Sequence, residues 1–132
     1  MRSEFVLDGV SHALRVPLAL AGRVETIEEL IAVPLAPSGV VGLGEVGGRA
    51  VTLVSASAWA LQRLAHEPVI EQVSALDRAA ALVLAPPFEH LAIFLPSAQA
   101  LRLAGPNDQQ IECLEREMIE QWMGPHAGDE QR

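Results

Sequence analysis

Residues 39–54 read GVVGLGEVGGRAVTLV and carry the clearest structural signal in the chain. Two β-prone runs flank a connection that is rich in glycine. Glycine tolerates the positive φ that tight turns require, and Val and Thr favour extended backbone. The stretch therefore predicts a β-hairpin. The glycines that shape it are Gly42, Gly44, Gly47 and Gly48.

The same stretch contains a match to the G-x-G-x-x-G pattern of dinucleotide-binding loops, at residues 42–47. In such a loop a helix follows the glycines directly, so that its N-terminal amides face the phosphate groups. Here the β-prone residues Val51, Thr52 and Val54 follow instead. The pattern therefore indicates a hairpin, and we expect no bound cofactor.

Two further hairpins follow from similar patterns. The first joins residues 5–7 to 13–16 through an Asp-Gly turn, and the third joins residues 80–84 to 90–95 around a Pro-Pro pair. These two hairpins resemble each other, because in each an apolar run leads through a turn to a His, a second apolar run and a proline. This weak duplication predicts two barrel-like halves.

The clearest helical pattern spans residues 107–124. Asn107 or Asp108 can cap its start, and Gly124-Pro125 ends it. Its apolar stripe consists of Ile111, Leu114, Met118 and Trp122. An isolated helix of this length is marginal in water, so we expect the stripe to pack onto an apolar surface of this chain or of a partner. The chain's own surface is favoured, because intramolecular packing needs no partner concentration.

Helical content elsewhere is expected to be small. Residues 18–31 mix Leu, Ala, Glu and Val at spacings that suit a helical turn or two, and residues 56–65 resemble a short helix. The predicted fold is mainly β, with two small SH3-like β-barrel halves, the second complete or incomplete, plus a C-terminal α-helix. The expected division is a β domain over 1–106, the helix over 107–124 and a flexible tail over 125–132.

Composition narrows the possible functions. The chain has 132 residues, of which half are hydrophobic, and this is typical of one folded globular domain. The formal net charge of −8 leaves no basic footprint, so we expect no binding to nucleic acid. No apolar run approaches the roughly 20 residues of a membrane-spanning helix, and no signal-peptide pattern is found. We therefore expect a cytoplasmic protein without membrane insertion.

No residue pattern indicates catalysis or a metal centre. The histidines show no zinc-ligand spacing, although His12 and His90 occupy matching places in the two similar hairpins. We interpret them as two strand-edge residues in preference to a paired site. Cys113 lies off the apolar stripe, and Ser55 and Ser57 lack the nucleophile-elbow pattern. The prediction is no enzyme activity, no metal and no catalytic residue.

Residues 33–54 resemble the central signature of CheW-like coupling domains of bacterial chemosensory systems. In that signature a proline precedes an apolar glycine hairpin and a long apolar strand. The resemblance extends over roughly residues 4–104, because the upstream hairpin and residues 82–103 follow in the family's order. It implies two small β-barrels and a non-enzymatic adaptor that acts by protein–protein binding.

The chain departs from the family pattern in several places. The sequence Glu45-Val46-Gly47-Gly48 replaces the usual N-L-R-G, so that Gly47 stands at the place of an arginine associated with partner contacts. Glu25 is the nearest acidic residue to the usual V-x-E-I element, and the helix over 107–124 replaces the final strand pair. Because the halves of such proteins resemble each other, residues 42–54 correspond either to the hairpin of the first half or, in a permuted or truncated arrangement, to a late hairpin of the second.

The resemblance implies chemotaxis signal transduction, with a chemoreceptor-like helical tip, a histidine-kinase regulatory domain or another CheW-like module as the protein partner. The predicted contact residues are Val40, Val41, Leu43, Glu45, Arg49, Ile111, Leu114, Met118 and Trp122. Two other functions stay open: a small-molecule-binding β-barrel, which the glycine-rich loop and the matched histidines suggest, and a structural subunit that self-associates as a homo-oligomer.

Overall fold

The fold is built from short strands arranged in two sheets. The computed structural model describes residues 4–8, 13–31, 40–56 and 80–121. Its strands are β1 (Glu4–Asp8), β2 (Ala13–Pro17), β3 (Ala21–Ile31), β4 (Val40–Val46), β5 (Arg49–Val54), β6 (Ala80–Leu84), β7 (Leu91–Leu95) and β8 (Leu101–Leu103). Short 3-10 turns occur at Ala98–Ala100 and Pro106–Asp108, and residues 116–121 are helical.

One of the sheets closes into a barrel of five strands in the order β3-β4-β5-β7-β6. Neighbouring strands run antiparallel except for β5 and β7, which run parallel. The barrel closes through β3, because the first half of this strand pairs with β6 and the second half with β4. Register shifts between Ala21 and Arg23 and between Ile27 and Glu29 mark bulges, which bend a strand and increase its twist.

The second sheet has three strands in the order β2-β1-β8 and stays open. The chain after β8 returns to the edge of β2. The Arg15 amide donates to the Glu112 carbonyl at 2.7 Å, and the Leu114 amide donates to the Arg15 carbonyl at 2.7 Å. The predicted class, mainly β with two halves and a C-terminal helix, is therefore confirmed, and one half is an open sheet beside a closed barrel.

Two hydrophobic cores hold these sheets together. The inward-facing side chains of β6 and β7 fill the barrel, and those that alternate with them belong to a second, larger core shared with the open sheet. The barrel core contains Val46, Val51, Leu53, Ala81, Val83, Ala92 and Phe94. The larger core contains, among others, Leu7, Leu14, Val16, Leu82, Leu84, Ile93, Leu95, Leu114 and Ile119. Both faces of β6 and β7 are thus buried, which explains their continuous apolar sequences.

All three predicted hairpins are confirmed. Strand β1 pairs with β2, β4 with β5, and β6 with β7, each in antiparallel register. The turn of the middle hairpin is formed by Gly47 at φ +60° and Gly48 at φ +79°. Positive φ at both central residues is the geometry of a type I′ turn, which follows the twist of the flanking strands. The glycine-rich stretch is therefore a hairpin, as predicted.

The prediction of helical turns over residues 18–31 is wrong. The short turn at residues 18–20 leads directly into β3, an 11-residue strand. Leu, Ala and Glu favour a helix locally, but β3 donates and accepts backbone hydrogen bonds on both sides to complete the barrel. Non-local pairing overrides the local preference here. Of the other predicted short helix, residues 57–65 lie outside the described part of the chain.

The prediction of a helix from residue 107 onward also needs correction. Pro106–Asp108 forms a 3-10 turn, residues 111–114 run extended beside β2, and helical backbone begins only at residue 116. The Asp108 carboxylate accepts the Gly105 amide at 2.7 Å and so closes the short turn instead of capping a long helix. Trp122 and the predicted tail over 125–132 lie outside the described residues.

Candidate protein-binding surface

The hairpin of β4 and β5 presents part of its sequence on the outside of the barrel. Along β4, Gly42, Gly44 and Val46 are buried, whereas Leu43 and Glu45 are exposed. This alternation is what a strand at a barrel wall requires, because successive side chains point to opposite faces. The glycine-rich sequence therefore places small residues inside and sends Leu43 and Glu45 outward.

An apolar side chain on the neighbouring strand extends this outer face. Leu43 lies directly opposite Ile31 of β3, and these two side chains are 48% and 58% exposed. Side chains directly opposite in an antiparallel pair share one face, with Cβ atoms roughly 5 Å apart. Thr52 of β5 lies on the other side of Leu43 and is half-buried. The pair of Ile31 and Leu43 is thus a contiguous apolar area in water.

Negative charge lies immediately beside this apolar pair. Glu29 of β3 is directly opposite Glu45 of β4, and both are exposed. Neither carboxylate forms an ion pair with another residue in the described ranges. Like charges directly opposite in a sheet are destabilising. We call Glu29, Ile31, Leu43 and Glu45 the β3–β4 face, an apolar centre with an unbalanced negative rim.

The other predicted contact residues of this hairpin lie elsewhere. Arg49 is exposed next to the turn, opposite Val46. Val40 is half-buried and packs against the larger core. Val41 lies on β4, but its side chain is outside the described part of the structure. Among the predicted contact residues whose side chains the structure describes, Leu43 and Glu45 belong to the β3–β4 face.

The predicted apolar stripe after β8 docks on its own chain. Leu114 is fully buried in the larger core, and Met118 packs against the same core. Ile111 is half-buried, and Trp122 lies outside the described residues. Sequence reasoning missed Ile119, which is also fully buried, because the stripe assumed helical spacing from residue 111. Leu114 and Met118 thus pack on their own chain, which is the arrangement that the sequence favoured.

A partly buried ionic cluster holds this segment against the open sheet. The Arg15 guanidinium donates to the Ile111 carbonyl at 2.7 Å through Nε and to Glu4 Oε1 at 3.0 Å through Nη1. The Cys113 Sγ lies 3.7 Å from Glu4 Oε2. Burial raises the pKa of the Cys113 thiol, and the nearby Glu4 carboxylate raises it further, while Arg15 opposes the shift. A raised pKa leaves less of the reactive thiolate at neutral pH, and the contacts of Arg15 with Ile111 and Glu4 hold the segment in place.

The remaining candidate groups are the histidines and the side chains that could bind a metal. His90 is exposed in the turn before β7, where its carbonyl accepts the Thr52 amide at 2.8 Å. His12 lies outside the described residues, so the matched pair of histidines stays untested. Within residues 4–8, 13–31, 40–56 and 80–121, no three His, Cys, Asp or Glu side chains are grouped to hold a metal. The same ranges contain no helix long and apolar enough to span a membrane.

No protein-family model and no curated protein sequence matches this chain. Among solved structures, the scaffolding protein TtCheW from Thermoanaerobacter tengcongensis is similar to 81% of this chain, with a TM-score of 0.49 and 6% sequence identity. The chain spans 64% of the length of that protein. The interpretation of function therefore rests on the surface described above and on the residues that resemble the CheW signature.

Proposed function

We propose that this chain is a non-enzymatic adaptor of the CheW-like type, which binds a protein partner through the β3–β4 face. The observation that carries the proposal is the exposed pair of Ile31 and Leu43, which lies on the outer wall of a closed barrel. Single exposed apolar side chains are common, whereas two that lie directly opposite each other on neighbouring strands and are rimmed by charge form a small apolar area that is a candidate for a protein interface.

The energetics of this face favour association with a partner. Covering the exposed half of Leu43 or Ile31 stabilises a complex by roughly 0.7 to 1.5 kcal/mol each. A Lys or Arg of the partner placed near Glu29 and Glu45 relieves their mutual repulsion. The net charge of −8 also attracts such a cationic surface from a distance. The fitting partner therefore carries an apolar side chain next to basic ones.

The sequence resemblance supports three classes of partner in chemotaxis signal transduction. These are a chemoreceptor-like helical tip, a histidine-kinase regulatory domain and another CheW-like module. Gly47 replaces the family's arginine, so we propose that binding depends on Leu43 and its neighbours and not on a cation in the hairpin turn. TtCheW, which is called a scaffolding protein, has a function of the same class.

The filled interior of the barrel favours an adaptor over a small-molecule-binding barrel. Phe94, Leu53 and Val83 are among the side chains that meet inside the five strands, each at most 2% exposed. Small barrels of few strands are filled by side chains in this way, whereas ligand-binding barrels enclose a cavity. The outer wall is therefore the surface on which we place the function.

Isothermal titration calorimetry tests the proposal. The chain is titrated with the cytoplasmic tip of a chemoreceptor and with the regulatory domain of a chemotaxis kinase, both from the organism that encodes it. We expect one of them to bind, and Leu43→Ser to weaken that binding at least tenfold, which corresponds to about 1.4 kcal/mol. Leu18→Ser is the matched control, because Leu18 is 54% exposed in the turn after β2. Equal effects of the two variants contradict the proposal, and so does the absence of binding at micromolar concentration to both of these partners and to another CheW-like module from the same organism.

A further inference from the structure

The segment after β8 contacts the rest of the molecule as a bound peptide would. We call residues 111–121 the arm. We propose that this arm is exchangeable between two copies of the chain, so that the arm of each copy fills the β2 edge of the other in a reciprocal dimer. The inference does not depend on the proposed function, because it concerns the β2 edge and not the β3–β4 face.

The first part of the arm is recognised through its backbone. It pairs with Arg15 through the two amide–carbonyl bonds of 2.7 Å, in a parallel bridge between Arg15 and Cys113. The Arg15 guanidinium adds a third bond to the Ile111 carbonyl, and Glu4 holds that guanidinium in place. Addition of an extended segment to a sheet edge in this way is a common mode of peptide recognition.

The second part of the arm is held by its side chains. Leu114 and Ile119 are fully buried in the larger core, and the Arg116 guanidinium lies over the ring of Phe88, 5.5 Å from its centroid. Burial of these aliphatic side chains away from water stabilises the arm in this position. The site that receives the arm thus consists of a backbone edge, a guanidinium and an apolar surface with two anchors.

The connection that precedes the arm is fixed to β8 and not to β2. The Asp108 carboxylate accepts hydrogen bonds from Arg102 at 2.9 and 3.2 Å, and it also accepts the Gly105 amide. Gln109 and Gln110, between this turn and the arm, are exposed. A rotation at these two residues breaks the hydrogen bond from the Ile111 amide to the Asp108 carbonyl and moves the arm as a unit, while the contacts of the Asp108 carboxylate with Arg102 and Gly105 can stay in place.

A second copy offers the released arm the same contacts that it has within its own chain. The two arrangements therefore differ mainly in the concentration of the arm at the site, which is on the order of millimolar within one chain. We expect dimers to become populated as the chain concentration approaches that value. Each copy has a net charge of −8, so repulsion opposes the dimer and added salt favours it.

Disulfide trapping between two different single-cysteine chains tests the exchange. Residues paired in a bridge have Cα atoms roughly 5 Å apart, which suits a disulfide. The chain R15C/C113S is mixed with the wild-type chain, whose only cysteine is Cys113. In a glutathione redox buffer, a bond between these two chains reports that a wild-type arm lies on the β2 edge of the variant. The control is S97C/C113S, because Ser97 is exposed and lies outside both β2 and the arm.

We expect the disulfide between positions 15 and 113 to form at least tenfold more than that between positions 97 and 113, and its yield to rise with salt. Arg15→Cys alone, which retains Cys113, shows whether the pair closes within one chain. Closure within one chain together with a control-level yield between chains contradicts the proposal. If the pair does not close at all, sedimentation of the wild-type chain decides: a monomer at about 1 mM in high salt also contradicts the proposal.

Discussion

Two sides of the same barrel carry outward-facing apolar residues that differ in their burial. On β6 and β7, the outward-facing Leu82 and Ile93 are fully buried, because the open sheet and the arm cover them. On β3 and β4, the outward-facing Ile31 and Leu43 stay about half exposed. Alternation along a strand thus identifies the face but not what covers it. A strand's outer face becomes core or candidate interface according to which other part of the chain reaches it.

Alanine substitutions on the two sides are expected to show the largest difference in stability. Ile93→Ala removes a fully buried side chain from the larger core and should lower the free energy of unfolding by about 2 to 4 kcal/mol. Leu43→Ala should change it by less than about 0.5 kcal/mol, because the side chain is half exposed and leaves no cavity. Urea unfolding of both variants measures the difference. Similar losses for the two substitutions would show that the β3–β4 face is covered.

Structural features that depend on residues close together in the chain could be predicted from the sequence. Each hairpin was predicted because turn residues and the flanking β-prone runs are close together, as Gly47 and Gly48 illustrate. Closure of the barrel was not predicted, because it depends on the pairing of β3 with β6, a strand far away in sequence. The same limit applies to the arm, whose extended start is set by Arg15, 96 positions away from Ile111.

The residues of the β3–β4 face likewise divide into those that could be predicted from the sequence and those that could not. Leu43 and Glu45 were predicted, since both belong to the hairpin that the glycines define. Ile31 and Glu29 were missed, because they lie on a segment whose Leu, Ala and Glu content favours helix. Their only available signal was the β-branched content of that segment, which includes Val24, Thr26 and Ile27. Their proximity to Leu43 and Glu45 depends on the register between β3 and β4, which the amino-acid composition of a segment does not determine.

Substitutions in the turn of the β4–β5 hairpin, which belongs to the exposed side of the barrel, are expected to have the next smaller effect on stability. Gly47→Ala places a methyl group at positive φ against the end of the flexible Glu25 side chain, which can move aside, so it should cost about 1 to 2 kcal/mol of stability, mostly from the backbone. Gly48→Ala has the same unfavourable φ but an open surrounding, so it should cost about 1 kcal/mol. Thermal unfolding of both variants, and of Gly47→Ala combined with Glu25→Ala, measures the contact. If the second substitution does not reduce the loss, the approach of Glu25 is wrong.

The smallest effect is expected at the edge of the covered side, in the cluster that holds the arm. Glu4→Gln removes the carboxylate that helps to raise the pKa of the Cys113 thiol, so that pKa should fall towards its ordinary value while burial still raises it. The rate of alkylation of Cys113 by iodoacetamide, measured against pH, should therefore have a midpoint at lower pH in the variant. An unchanged midpoint would place Glu4 farther from the thiol than the 3.7 Å of the structure.

The most direct test of the central claim is methyl NMR during titration with the partner that binds in calorimetry. Ile31 and Leu43 report on the exposed side of the barrel, and Ile93 and Leu95 report on the covered side. If the β3–β4 face is the binding surface, the methyl signals of Ile31 and Leu43 shift or broaden, while those of Ile93 and Leu95 keep their positions. Shifts at Ile93 and Leu95 with unchanged signals from Ile31 and Leu43 would contradict the account.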